Sequence, residues 1–405
     1  MGVLRLAILI ASFHGSAGAD AGPTVKAPET VMRAGCDGSD EEVAKLPAGA
    51  PVTIRFAISG CYKVTVDVGG KLVDGYLLPS AIDNAAGFED ERRNARSVVQ
   101  AINPGALQIA AASPGGAKLA ALLKANQPAQ ALQAAQADLI KFPRNPDLLA
   151  FAGIAAYKAD ELPKAIGYLR DSLAARPDAS IERFLKNVER ENAESAGSAK
   201  LVSTRFLLRY DARLIAADDA RALIGVLEQE YSRVAGPLGC RVDDKLVAIL
   251  LTREAYLKTT DAAEWSGGSF DGRMKVAVIE KPIGERTRRT LAHEMVHACL
   301  ASTGEWPAWL HEGLAQKYSG EVRPDAWRER VHQMAKGGQL PHLERMSQTW
   351  SRMSNDHAAI AYTMALEAVN TIFAAYGELG VSNLIRNPAW LPQLSADLDR
   401  RLAAQ

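Results

Sequence analysis

The stretch Thr290-Leu291-Ala292-His293-Glu294-Met295-Val296-His297-Ala298 constrains this chain more than any other. Two histidines four residues apart fall on one face of a helix, a turn apart, where both imidazoles reach a single metal ion. Leu291, Met295 and Ala298 fall on the opposite face and bury it. Glu294 lies about 100° round from His293, near a metal without being aimed at it, which is the place for a general base. The segment predicts a helix anchored from behind that presents its histidines to a cleft. Six of the seven histidines lie between His293 and His357, a clustering that supports a metal site.

A catalytic zinc takes three protein ligands and keeps one position open. The third ligand is sought in Trp309-Leu310-His311-Glu312-Gly313-Leu314-Ala315. His311 and Glu312 compete for it, because adjacent helical residues point about 100° apart and cannot both bind one ion. Together, His293-Glu294-x-x-His297 and Trp309-Leu310-x-Glu312-Gly313-Leu314-Ala315 resemble the gluzincin metallopeptidases of the peptidase-MA-like group, over residues 200–405. The resemblance implies one Zn2+ held by His293, His297 and Glu312. It also implies Glu294 as the base in hydrolysis of a peptide or protein substrate by metal-activated water. Tyr362, in the helical run Ala358–Met364, is the candidate donor to the oxyanion, with Tyr318 and His357 as weaker alternatives and a packing role as the plain reading. Gly267-Gly268-Ser269-Phe270-Asp271-Gly272, leading into Met274–Ile279, matches the edge strand that pairs with extended substrate in such enzymes; an internal strand is the other reading. Two departures stand out. The interval from His297 to Glu312 is shorter than in thermolysin. Gln316 stands where many relatives carry an acidic residue that orients a ligand histidine.

The rest of the chain reads as smaller units. Arg5, an apolar run from Leu6 to Phe13 and Ala17-Gly18-Ala19 predict a signal peptide over 1–19, hence a periplasmic or secreted protein. That run is too short to span a bilayer, and no other run of membrane-spanning length is expected. Export places Cys36, Cys61, Cys240 and Cys299 in an oxidising setting with three pairings open. Cys36 with Cys61 is the local choice, leaving Cys240 with Cys299, unless Cys299 is a buried thiol. Strand-like runs at Thr30–Arg33, Pro51–Ile58, Tyr62–Val68 and Lys71–Leu78 resemble a small bacterial SH3-like barrel over 28–85, structural or peptide-binding. Residues 86–104 are charged and read as a linker or solvated helix. Over 105–195, Ala131 recurs as Ala165, Leu139 as Leu173 and Pro143 as Pro177, each thirty-four residues on, with Ile181–Glu191 as a capping helix. This resembles a tetratricopeptide pair, either a groove for a partner peptide or, preferred with two copies, a spacer. In residues 200–405, strands at Thr204–Tyr210, Lys245–Leu251 and Met274–Ile279, a helix at Asp218–Val234 and mostly helix after Glu285 predict α+β.

Lys plus Arg and Asp plus Glu both number 47, which argues against a nucleic-acid partner or a polybasic membrane binder. The expectation is a multidomain protein: a small all-β SH3-like unit, an α-helical tetratricopeptide pair and an α+β zincin-like domain. Its expected function is that of an exported zinc metallopeptidase. The rivals are a catalytically inactive, peptidase-like binding protein and a zinc hydrolase of cell-wall peptides.

Overall fold

The computed structural model describes residues 22–36, 41–58, 61–86, 115–260, 262, 266–278, 283–346, 350, 353 and 355–404. The expected signal peptide, nearly all of the expected linker and residues 105–114 lie outside the described residues. The chain divides into two compact units, Met1–Glu91 and Arg92–Gln405. It is a multidomain α+β protein, with two five-stranded sheets and twelve α-helices among the described residues.

The first unit is all β. Strands β1 (Thr24–Val25), β2 (Thr30–Arg33), β3 (Glu42–Leu46), β4 (Val52–Ile58), β5 (Cys61–Val68), β6 (Lys71–Leu77) and β7 (Ile82–Asp83) form a sheet of order β3-β2-β6-β5-β4 and a β1–β7 pair. Where a barrel was expected over 28–85, β3 and β4 stand as the two edges, and no closed barrel is found among the described residues. The strand β3 was not foreseen, because Glu42 and Lys45 interrupt its apolar pattern, as charge does on edge strands. Met32 and Val64 are fully buried, and Gly75 leaves the space that Met32 fills. Cys36 and Cys61 form a disulfide.

Among the described residues, the second unit starts with five helices, each packed on the next: α1 (Gly116–Lys124), α2 (Pro128–Lys141), α3 (Pro146–Lys158), α4 (Leu162–Ala175) and α5 (Ala179–Glu194). The thirty-four-residue period survives in the backbone: Asn126 and Asp160 both turn between helices at positive φ, 54° and 60°. Gly153 brings α3 against α4, since a Cβ there would stand 2.7 Å from Leu169. The expected capping segment lies within α5, whose N-terminal amides of Ser180 and Ile181 donate to the Asp178 side chain.

A five-stranded sheet follows, of order β11-β12-β10-β9-β8: β8 (Ser198–Val202), β9 (Phe206–Asp211), β10 (Leu246–Thr252), β11 (Gly268–Phe270) and β12 (Met274–Val278). Its three inner strands are parallel and its two edges antiparallel. The edge strand is therefore β11; Met274–Val278 is internal and nearly all buried, which decides between the two readings of that run. Helices α6 (Ala217–Leu238), α7 (Arg253–Thr259), α8 (Glu285–Thr303), α9 (Ala308–Ser319), α10 (Asp325–Lys336), α11 (Asn355–Arg386) and α12 (Leu391–Ala404) complete the unit. Cys240, just past α6, bonds Cys299 in α8, so Cys299 is not a free thiol. Against expectation, Asp356–Arg386 is long and apolar enough to cross a membrane, with mean hydropathy 1.4 in its most apolar stretch. That stretch is 61% buried, packed on α9, α10 and α6, and Gly377 breaks the helix at φ 60°. A core helix meets the same length and composition.

A buried ionic cluster joins the helical array to the sheet. The Glu191 carboxylate of α5 accepts from Arg209 (2.6 Å), Arg273 (2.9 Å at each oxygen), Lys275 (3.1 Å) and the Tyr157 hydroxyl (3.2 Å). Asp160 pairs with Arg209, and Asp271 with Lys275. Further along, Asp244 accepts from the first amides of α2, and Lys124 pairs with Glu305 at 2.7 Å.

Candidate metal centre

The helix α8 carries the histidines as its periodicity requires: Leu291 and Met295 are fully buried behind it, while His293 and His297 face a cleft. The helix α9 brings Glu312 beside them. Trp309 and Leu310 anchor its first turn in the core, and Gly313 admits the backbone of α11, because a Cβ there would overlap the Ala365 carbonyl. Glu312 Oε2 lies 3.3 Å from His293 Nε2 and 3.6 Å from His297 Nε2. The three donor atoms lie within 4.8 Å of one another, the one such group of metal-ligating side chains among the described residues.

The donor set fits a zinc ion. Tetrahedral ligands at about 2.0–2.2 Å from a common centre stand roughly 3.3–3.5 Å from each other, close to both separations found here. Glu312 Oε2 is buried with no hydrogen-bond partner. Burial raises the Glu312 pKa, but the His297 and His293 imidazoles outweigh it and hold the carboxyl well below the usual range. His311, the rival ligand, stays outside the group. Its Nδ1 lies 3.4 Å from Nδ1 of His297, and burial beside that ring lowers its pKa to about 3, so it is neutral.

The group that orients His293 is one the sequence did not reveal. His293 Nδ1 lies 2.9 Å from Glu321 Oε1, in the turn after α9. Gly320 ends that helix in the left-handed conformation (φ 73°), and the Glu321 amide then donates back to the Gln316 carbonyl. Gln316 touches neither histidine: its Nε2 donates to the carbonyls of Glu312 and Tyr362, and its Oε1 accepts from Arg323 Nε at 2.6 Å. Arg323 in turn reaches Glu321 Oε2 at 3.3 Å. The missing charge at position 316 is thus supplied five residues on. A glycine directly after the helix was the only local sign of that turn.

Glu294 is 3% exposed, and burial raises its carboxyl pKa above the ordinary value. The backbone of Gly268, in β11, packs directly on it; a Cβ there would overlap Glu294 Oε1. Ser269 faces Lys275 in the register, and the flanking bonds Ala277 N–H to Gly267 O and Asp271 N–H to Arg273 O mark alternate residues as ladder-bonded. Gly268 and Phe270 therefore turn their N–H and C=O groups away from β12, and the Gly268 carbonyl there accepts from Ser266 Oγ at 2.6 Å. Tyr362 lines the same cleft from α11, its ring 4.9 Å from Trp350 and 5.1 Å from the Arg323 guanidinium. Burial, with Glu312 and Glu294 nearby, raises its pKa well above the ordinary value, so the phenol stays protonated. Tyr318 instead donates to Glu378, and neither it nor His357 is among the residues that line the cleft.

The cleft, about 1880 Å³, extends from these residues to the helical array, where Ala121, Leu123, Lys124, Ala125, Asn126, Tyr157 and Lys158 form part of its wall. No family model matches this chain, and no curated protein matches it.

Proposed function

We propose that this protein is a zinc-dependent peptidase of the gluzincin type. One observation carries the reading: His293 Nε2, His297 Nε2 and Glu312 Oε2 converge from two helices, with the buried Glu294 next to them. When bound, zinc supplies a Lewis acid that polarises a carbonyl and acidifies water. Glu294 takes the proton from the attacking water, and its raised pKa suits it to pass that proton to the leaving amine. Tyr362, kept protonated, donates to the developing oxyanion. The outward Gly268 N–H and the outward N–H and C=O of Phe270 pair with the backbone of an extended peptide, which suits a peptide substrate of varied sequence. Glu321 holds His293 in its tautomer, which answers the Gln316 departure that favoured an inactive relative.

The β unit is read as SH3-like and the helices as a tetratricopeptide pair. Because the helices line the cleft, they shape the substrate path rather than stand apart as a spacer. Export to the periplasm or medium accords with two disulfides. The test is metal analysis of the purified protein with digestion of casein, a peptide library and peptidoglycan, with and without chelator. Zinc at one per chain and chelator-sensitive cleavage are expected. Glu294→Gln should keep the metal and lose hydrolysis, and Glu312→Ala should lose metal. A zinc-loaded protein that cleaves none of these substrates overturns the proposal.

A further inference from the structure

Lys158 ends α3, thirty-four residues after Lys124 ends α1, so the two occupy equivalent places in the repeat. Both line the cleft, yet their ammonium groups differ. Lys124 is exposed and paired with Glu305. Lys158 is half-buried, and no described residue lies within hydrogen-bonding or ion-pair distance of its Nζ. Its nearest carboxylate by charge, Asp271, is already engaged by Lys275 at 3.0 Å and by the Tyr157 hydroxyl at 3.1 Å. Room for the ammonium comes from Gly272, where a Cβ would stand 2.8 Å from Nζ and where φ is +97°. Lys158 therefore faces the cleft with no counterion among the described residues, and partial burial lowers its pKa. An arriving anion would supply that counterion.

Position gives the anion its identity. Gly268, at one end of the edge segment, packs on Glu294; Gly272, at the other, packs on Lys158. Four residues of extended backbone span at most about 13 Å. A peptide lying along β11 with a carbonyl at Glu294 therefore reaches Lys158 within about four residues, at the 3.3–3.4 Å rise of a strand. We infer that Lys158 is a specificity-determining residue, which binds a carboxylate of the substrate peptide within four residues of the scissile bond. This rests on the peptidase reading above. The carboxylate comes from an Asp or Glu side chain or from the peptide's C-terminus.

The experiment measures binding rather than turnover. Zinc-loaded full-length Glu294→Gln protein is titrated with fluorescent peptides in pairs: free C-terminus against C-terminal amide, and Glu against Gln at each position. A preference of about tenfold for a carboxylate is expected, from one charged hydrogen bond. Adding Lys158→Met should abolish it, and adding Lys158→Arg should retain it. The pair that shows the preference identifies which carboxylate is read. Equal binding within every pair, or a preference that survives Lys158→Met with zinc content and melting temperature unchanged, overturns the inference. If the preference follows Lys158 while the wild-type protein hydrolyses nothing, the carboxylate subsite stands and the peptidase reading falls.

Discussion

Replacing Glu191 tests how the helical array is held on the sheet. Its carboxylate faces all three cations of the buried cluster, Arg209, Arg273 and Lys275, against which only Asp160 and Asp271 would remain. In Glu191→Gln the side chain keeps its size, but three buried cations face two anions. Breaking a buried pair by removing one partner costs about 3–5 kcal/mol. At about 2–4 °C per kcal/mol for domains of this class, the melting temperature of the unit should fall by roughly 6–20 °C, read by calorimetry at pH 7. The pH dependence follows from the same groups. Burial raises the carboxyl pKa values of Glu191 and Asp271, but Arg273 and Lys275 outweigh it; Glu191 lies well below its ordinary 4.5, and Asp271 falls from 3.8 to about 2. Groups with depressed folded pKa values contribute stability above their unfolded pKa and lose it as pH falls through the folded one. Wild-type stability should therefore drop below about pH 4.5, and Glu191→Gln should flatten that slope between pH 4.5 and 2. A variant that melts within 1 °C of wild type at pH 7 would refute the assignment of this cluster as the joint.

Three further outcomes are expected. Glu321→Ala should weaken zinc binding by about 10–100-fold in competition with a chelating dye, because His293 loses its orienting carboxylate; an unchanged Kd rejects that role. Separating Cys240 from Cys299 with paired serines frees a 59-residue loop and should cost about 4 kcal/mol in chemical denaturation; equal midpoints and slopes would count against it. Gly313→Ala forces a methyl onto the Ala365 carbonyl, so it should cost about 1–3 kcal/mol and lower zinc stoichiometry together, and a stable, fully loaded variant would show that the α9–α11 contact does not position Glu312.

Much of the site was legible because its candidate ligands obey helical spacing. His293 and His297 need only one turn of helix, and the buried Leu291 and Met295 fix which way that turn faces. Glu312 required the resemblance as well, since spacing alone left His311 in contention. Glu321 was missed because it lies beyond the helix end, where a left-handed glycine rather than a period decides direction. Strands of two to five residues, β1, β3, β7, β8 and β11, were missed because so few positions carry too weak an alternation. Whether the run at Met274 is an edge or an internal strand stayed open, because burial on both faces cannot be read from a short apolar segment.

By itself, the sequence determined the local matters: which segments wind into helices, which face each buries, the thirty-four-residue repeat, and two histidines a turn apart. Those follow from short-range periodicity, which every residue carries with it. Tertiary structure alone decided what meets across long separations: Glu321 on His293, Gly268 on Glu294, Lys158 in the cleft beside Gly272, and Glu191 among three cations. Such contacts depend on how packed layers register against one another, and one-dimensional spacing does not encode that distance.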